Sequence, residues 1–165
     1  MTQIADADAR QKLWDMIQGI KVAMLTSQDG GHLRSRPMVA AQKDFQGELF
    51  FFTRASAHKV DEVGGQAQVG VSYADADHQN YVSLSGSAAV VRDPAVVHAH
   101  WSEAMRTWFP KGKDDPEIAI LKVSIEQAEY WDAPSSTIVY IYGYAKALAT
   151  CRAPHPGANE KLKIA

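Results

Sequence analysis

Two short basic segments hold the residues best suited to chemistry, and both point to anion binding. Arg34-Ser35-Arg36-Pro37-Met38 reads as a strand. Alternate strand residues share a face, so Arg34 and Arg36 lie side by side. Two guanidiniums so placed repel each other unless a carboxylate or an anionic ligand faces them. Pro37 cannot donate to a ladder, which predicts an edge or distorted stretch whose neighbouring backbone groups are left to a ligand. An exposed basic edge that resists aggregation explains the same residues without a ligand. In Thr53-Arg54-Ala55-Ser56-Ala57-His58-Lys59, Ser56 is placed to cap a helix whose first turn carries His58 and Lys59. A helix N-terminus is partially positive, so each cation there costs roughly 0.3–1 kcal/mol. A phosphate at that end reverses the sign, because free amides, the Ser56 hydroxyl and the cations all face it. The plainer alternative is a solvated helix start that Asp61 and Glu62 compensate one turn later.

No other constellation is shaped for catalysis. His98 and His100 are two apart on a helix and face different ways, without a cysteine or carboxylate at ligand spacing, so no metal site is assigned. Ser83, Ser85 and Ser87 share a strand but lack a nucleophile-elbow context. Neither common glycine-rich phosphate loop is present. Phe50-Phe51-Phe52 reads as core, and Trp101, Trp108 and Trp131 as core or interface packing. Planar rings near an anion site are nevertheless able to flank a planar heterocycle. No side chain is assigned as a catalytic acid, base or nucleophile.

These residues must be positioned by short elements. Leu13, Ile17 and Ile20 fall at helical spacing within Ala7 to Ile20. Strands follow over Val22–Ser27 and Leu33–Ala41, joined by Asp29-Gly30-Gly31, and over Glu48–Thr53 after Gln46-Gly47. Ala57–Val63 is a short helix closed by Gly64-Gly65, and Val69–Tyr73 and Tyr81–Val91 are further strands. Asp93-Pro94 opens a helix to about Met105, then a loop spans Lys111–Pro116. Ile118–Ile125 and Ala128–Trp131 close the set as a strand pair, Ile138–Ala149 is ambiguous, and residues 154–165 form a mobile tail after one domain over 1–153. Many short antiparallel strands with tight turns and few helices predict a mainly β, α+β fold, an antiparallel barrel with peripheral helices.

The chain has 165 residues, the usual size of one domain. Its 46% apolar content places it among globular proteins, and a net charge of −2 gives no global attraction to nucleic acid or an anionic membrane. The lone Cys151 predicts a reducing compartment. Without a secretory signal or an apolar run near the ~20 residues that span a bilayer, a cytoplasmic protein is expected.

Taken in order, the motifs resemble those of the pyridoxamine-phosphate-oxidase-like, flavin-binding split β-barrels. Gly31 followed five residues later by Arg36-Pro37-Met38 resembles their second-strand motif. Phe51-Phe52-Thr53, then Ser56 and His58-Lys59-Val60, resembles the aromatic-Thr and Ser-x-(Arg/His)-Lys segment. Tyr81-Val82-Ser83-Leu84-Ser85-Gly86 and Glu129-Tyr130-Trp131 match two later elements. Trp108-Phe109-Pro110 and Asp115-Pro116 narrow the likeness to the general stress protein 26 branch.

The resemblance implies a homodimer with FMN at its interface. Arg36 and Lys59 would hold the phosphate, helped by Ser56 and His58, while Pro37-Met38 and Phe52-Thr53 would lie along the isoalloxazine. Trp108 and Trp131 are further flavin contacts, and Arg34 would serve the longer anionic tail of FAD or a deazaflavin. The oxidase's substrate residues are missing: Ala41 stands where it has a lysine, and no Arg-x-His follows Trp131. The expectation is an FMN-dependent oxidoreductase of the stress-protein type, not a pyridoxamine-phosphate oxidase. A non-enzymatic flavin-binding, storage or sensing module and a deazaflavin-using relative are the alternatives.

Overall fold

Turn chemistry sets the first hairpin. Asp29 pairs with His32 across Gly30 and Gly31, whose φ values of +56° and +84° are those a two-residue type I′ turn demands. The computed structural model describes residues 7–57, 67–132 and 159–163. Most of the helix expected over Ala57–Val63, including His58 and Lys59, lies outside the described residues, as do Ile138–Ala149 and Cys151.

The elements are α1 (Ala7–Ile17), β1 (Val22–Asp29), β2 (His32–Val39), β3 (Glu48–Arg54), β4 (Ala67–Asp75), β5 (Asn80–Val91), α2 (Pro94–His100), a 3-10 turn (Glu103–Thr107), β6 (Ile118–Trp131) and β7 (Asn159–Lys163). The strands form one antiparallel seven-stranded sheet in the order β2-β1-β4-β5-β6-β3, with β7 added to β6. Curling brings the two ends of that order together, but β2 and β3 meet only at an Ala40–Phe51 bridge and the Ala41 N–H bonded to the Phe50 carbonyl. The barrel is therefore split, as expected, and the split runs between β2 and β3.

Alternation builds the interior. Ala23 and Leu25 of β1, Met38 of β2, Leu49 and Phe51 of β3, Val71 and Tyr73 of β4, and Val82 and Leu84 of β5 point inward, and Leu13 and Ile17 of α1 pack against them. The phenylalanine run divides by the same rule. Phe51 enters the main core, whereas Phe50 and Phe52 face outward and join a second cluster with Val97, Trp101, Phe109, Ile118 and Ile120.

Two expectations are corrected. The helix opened by Asp93, whose side chain accepts from the Ala95 N–H, ends at His100, and a separate 3-10 turn follows. His100 stacks on Phe50 at 4.0 Å and Trp101 meets Phe52 edge-on, so tertiary aromatic contacts end the helix where no glycine or proline does. The strand pair expected at 118–131 is one strand. Opposite Ser85 and Gly86, β6 presents Gln127 and Ile125, so Glu126 is bulged out and the ladder continues. Near the C-terminus, Asn159–Lys163 pairs with β6, and Leu162 packs against the core.

Candidate functional site

The split is also a groove. Pro37, Met38 and Val39 of β2 form one bank and Phe52, Thr53 and Arg54 of β3 the other, with Met105, Trp108 and Phe109 closing it in a space of about 260 Å³. Because β2 and β3 part beyond the Ala40–Phe51 bridge, both banks are strand edges with main-chain groups turned toward the gap. Apolar walls, edge backbone groups and few side-chain charges make a site suited to a flat heterocycle with a polar rim.

Sequence and packing fix each wall. Met38 is buried on the core side of β2, while Pro37 and Val39 alternate to the outer face. On β3, Phe52 turns outward against Trp101 and Phe109, and Thr53 is buried. The third wall is tied down by Glu103, which accepts from Arg106 Nε at 2.8 Å and from the Trp101 indole N–H at 3.1 Å. Those bonds, with Arg106 the stronger cause, hold the Glu103 carboxyl below its usual range. His98 Nε2 lies 2.8 Å from Asp114 and ties α2 to the following loop.

The expected site residues separate into groups. Pro37, Met38, Phe52, Thr53 and Trp108 come together in the groove. Arg36 is half-buried on the Met38 face of β2, immediately before the bank. Arg34 lies 3.3 Å from Asp29, so a carboxylate faces that guanidinium within the chain itself. Ser56 follows the end of β3, and its hydroxyl donates to Glu117 at 3.0 Å. The Ala55 N–H donates to the Glu117 carbonyl, fixing the two segments together. His58 and Lys59 lie outside the described residues. Trp131 does not line the groove. It ends β6 opposite Tyr81, on the outer face of the sheet.

Val39, Arg54, Met105 and Phe109 also line the groove, beyond the residues expected from the sequence. The Arg54 guanidinium donates to the Trp108 carbonyl at 3.0 Å and sits 5.5 Å from the Phe109 ring centroid. Phe109 stood inside the Trp-Phe-Pro motif; Met105 carried no signal beyond its hydrophobicity.

The outer face of the sheet leads away from the groove. Pro37 pairs with Met24 and Val39 with Val22, and Met24 neighbours Ser72, which neighbours Ser83. Val22, Met24, Val39, Tyr81 and Trp131 are all exposed on this face. None of the described helices is long and apolar enough to cross a membrane.

Residues 8–155 match the family described as pyridoxamine 5'-phosphate oxidase like. General stress protein 26 of Bacillus subtilis is 28% identical over 141 residues, covering 80% of this chain and 94% of that protein. Protein bli-3 of Neurospora crassa is 25% identical over 154 residues, covering 87% of this chain and 72% of its own. Among solved structures, the general stress FMN/FAD binding protein of Xanthomonas citri has a TM-score of 0.68 at 30% identity, covering 78% of this chain and 92% of its own.

Proposed function

The chain belongs to the pyridoxamine 5'-phosphate oxidase-like family, and from that premise we propose that it binds a flavin nucleotide, FMN first, in the groove between β2 and β3. The observation that carries the reading is the groove itself, two unladdered strand edges faced by Phe52, Phe109 and Trp108. The Xanthomonas citri relative, described as FMN/FAD-binding, supports the same ligand class. The residues fit such a group. The apolar walls suit its ring, the edge backbone of Pro37–Val39 and Phe52–Arg54 suits the ring's polar rim, and Arg36 and Ser56 stand toward the phosphate end, where Lys59 joins them in sequence.

The activity proposed is that of an FMN-dependent oxidoreductase of the general stress type. Bound flavin supplies the electron-carrying chemistry, and the chain binds, orients and shields it. Ala41, whose N–H is used on the Phe50 carbonyl, and the lack of Arg-x-His after Trp131 argue against pyridoxamine-phosphate oxidation. A non-enzymatic flavin module is the second reading, favoured by the groove's lining, in which Arg54 is the only titratable side chain among the described residues. The apolar outer face, continuous with the Pro37–Val39 bank, supports a homodimer.

Titration of the protein into FMN, followed by fluorescence and anisotropy, tests the binding claim. Saturable uptake is expected, and free FMN at all protein concentrations refutes it. Anaerobic reduction of the loaded protein by NADH or NADPH then separates enzyme from module, with no reduction by either favouring the module.

A further inference from the structure

Among the described residues, Arg54 is the one charged side chain lining the groove, and it is engaged on the groove's far wall. Its Nη2 donates to the Trp108 carbonyl at 3.0 Å, and the guanidinium lies 5.5 Å from the Phe109 ring centroid. Trp108 itself is 63% exposed, a large ring that folding leaves at the mouth of the groove. Nothing in apolar burial fixes such a ring, so its place depends on its backbone. That backbone leaves the short 3-10 turn, and the guanidinium ties it to the end of β3. A charge-assisted bond to a carbonyl, reinforced by a cation on an aromatic face, is a strong tie for a surface segment.

We infer that Arg54 is a positioning residue, locking the Trp108-Phe109 backbone against β3 so that the Trp108 indole covers a planar ligand in the groove. The inference rests on the flavin reading and adds to it a wall, a clamp and a direction of access. With Trp108 over the ring on one side, a reaction partner would approach from another.

Indole in contact with a flavin quenches its emission, which gives a signal independent of turnover. FMN emission at saturation and FMN affinity are measured for wild type, Trp108→Phe, Arg54→Ala and the double variant, with circular dichroism as the check on folding. Strong quenching is expected in wild type, with emission rising several-fold in Trp108→Phe. Arg54→Ala should raise emission and weaken FMN about tenfold, the scale of one charge-assisted hydrogen bond. Added to Trp108→Phe, it should change emission little, because no indole remains to be placed. Should Arg54→Ala fail to fold, Arg54→Gln replaces it and is held to the same outcome. Equal emission from wild type and Trp108→Phe overturns the inference. So does an Arg54 variant that weakens FMN equally in both backgrounds, which would mean direct contact with the ligand. A wild-type protein that takes up no FMN instead refutes the flavin reading beneath it.

Discussion

Gly86 and the Ser124 carbonyl approach so closely that a Cβ on Gly86 would lie 1.9 Å from the oxygen. This contact sits where β5 and β6 slip register and Glu126 bulges, so the ladder bends there without ending. Both neighbours that a side chain would meet are backbone, of Ser124 and Ile125, and neither can swing aside. Gly86→Ala is therefore expected to destabilise the fold by about 3 kcal/mol, the upper range for overpacking. Thermal unfolding should show a midpoint lowered by roughly 10 °C, at about 3 °C per kcal/mol for a chain of this size. An unchanged midpoint would mean that the strands can separate at the bulge.

Tyr73 gives a prediction of the opposite sign. Its side chain is buried in the main core, and its hydroxyl has no hydrogen-bond partner among the described residues. Burial pushes the phenol's pKa well above its usual value. A raised folded-state pKa means the contribution to stability is complete below the unfolded value, about 10, and is lost as pH rises beyond it. Tyr73→Phe should thus be neutral or stabilising by about 1 kcal/mol near neutrality. It should also unfold less readily than wild type above pH 10 in denaturant titrations. Marked destabilisation at neutral pH would show that the hydroxyl is bonded.

What the sequence made legible was local. Gly30-Gly31 marked a hairpin through its backbone demands, Asp93-Pro94 marked a helix start, and alternation set the faces of β1 and β4. What it hid was tertiary. Nothing near Trp101 ends a helix, and the Glu126 bulge depends on Gly86, forty residues back by sequence number. The groove was half visible. Pro37, Met38, Phe52 and Thr53 lie on strands whose motifs are contiguous, whereas the Arg54–Trp108 bond joins residues 54 positions apart and leaves no periodic trace.

At the end proposed for the phosphate, Ser56 donates to Glu117, so a carboxylate holds the hydroxyl assigned to that role. Ser56→Ala and Arg36→Ala should weaken FMN about tenfold each, as expected for lost bonds to a charged group, and leave riboflavin nearly unaffected. Glu117→Gln should act in reverse. One carboxylate beside a phosphate dianion costs on the order of 1 kcal/mol at an exposed site, so FMN should bind several-fold tighter with riboflavin unchanged. Parallel titrations with the two ligands decide the matter. Equal losses for both in the alanine variants would remove Arg36 and Ser56 from the phosphate site.

An acid-side effect is expected at the β4–β5 turn. Asp75 accepts from the His78 backbone N–H at 3.2 Å and lies 2.8 Å from its Nδ1. The His78 side chain first, then its backbone bond, holds the Asp75 carboxyl below its usual range. A depressed folded-state pKa gives stability that is present above the unfolded value and lost as pH falls through the folded one. In His78→Ala the side-chain cause vanishes, so the Asp75 carboxyl should titrate at higher pH when followed by NMR. The effect on overall stability should be small, because the pair is exposed. An unchanged Asp75 titration would assign the shift to the backbone bond alone.

The outer face decides whether Trp131 belongs to the site. It lies opposite Tyr81, far along β6 from the segment that pairs with β3, and it does not line the groove of its own chain. It does share the exposed apolar face with Val22, Met24 and Val39, and Val39 lies on the groove's bank. If two chains join through this face, an indole that is remote within one chain can approach the groove of the other. Met24→Glu places a charge in the middle of that face, opposite Pro37 and Ser72. Sedimentation should show a dimer for wild type and a monomer for the variant, since burying an unpaired carboxylate at an interface centre costs several kcal/mol. FMN affinity should fall with the dimer, by about tenfold or more if the partner chain completes the site. Trp131→Phe should then change bound-flavin emission in the dimeric protein but not in the monomeric Met24→Glu background. A monomeric wild type with full FMN affinity would place every flavin contact within one chain and exclude Trp131 from them.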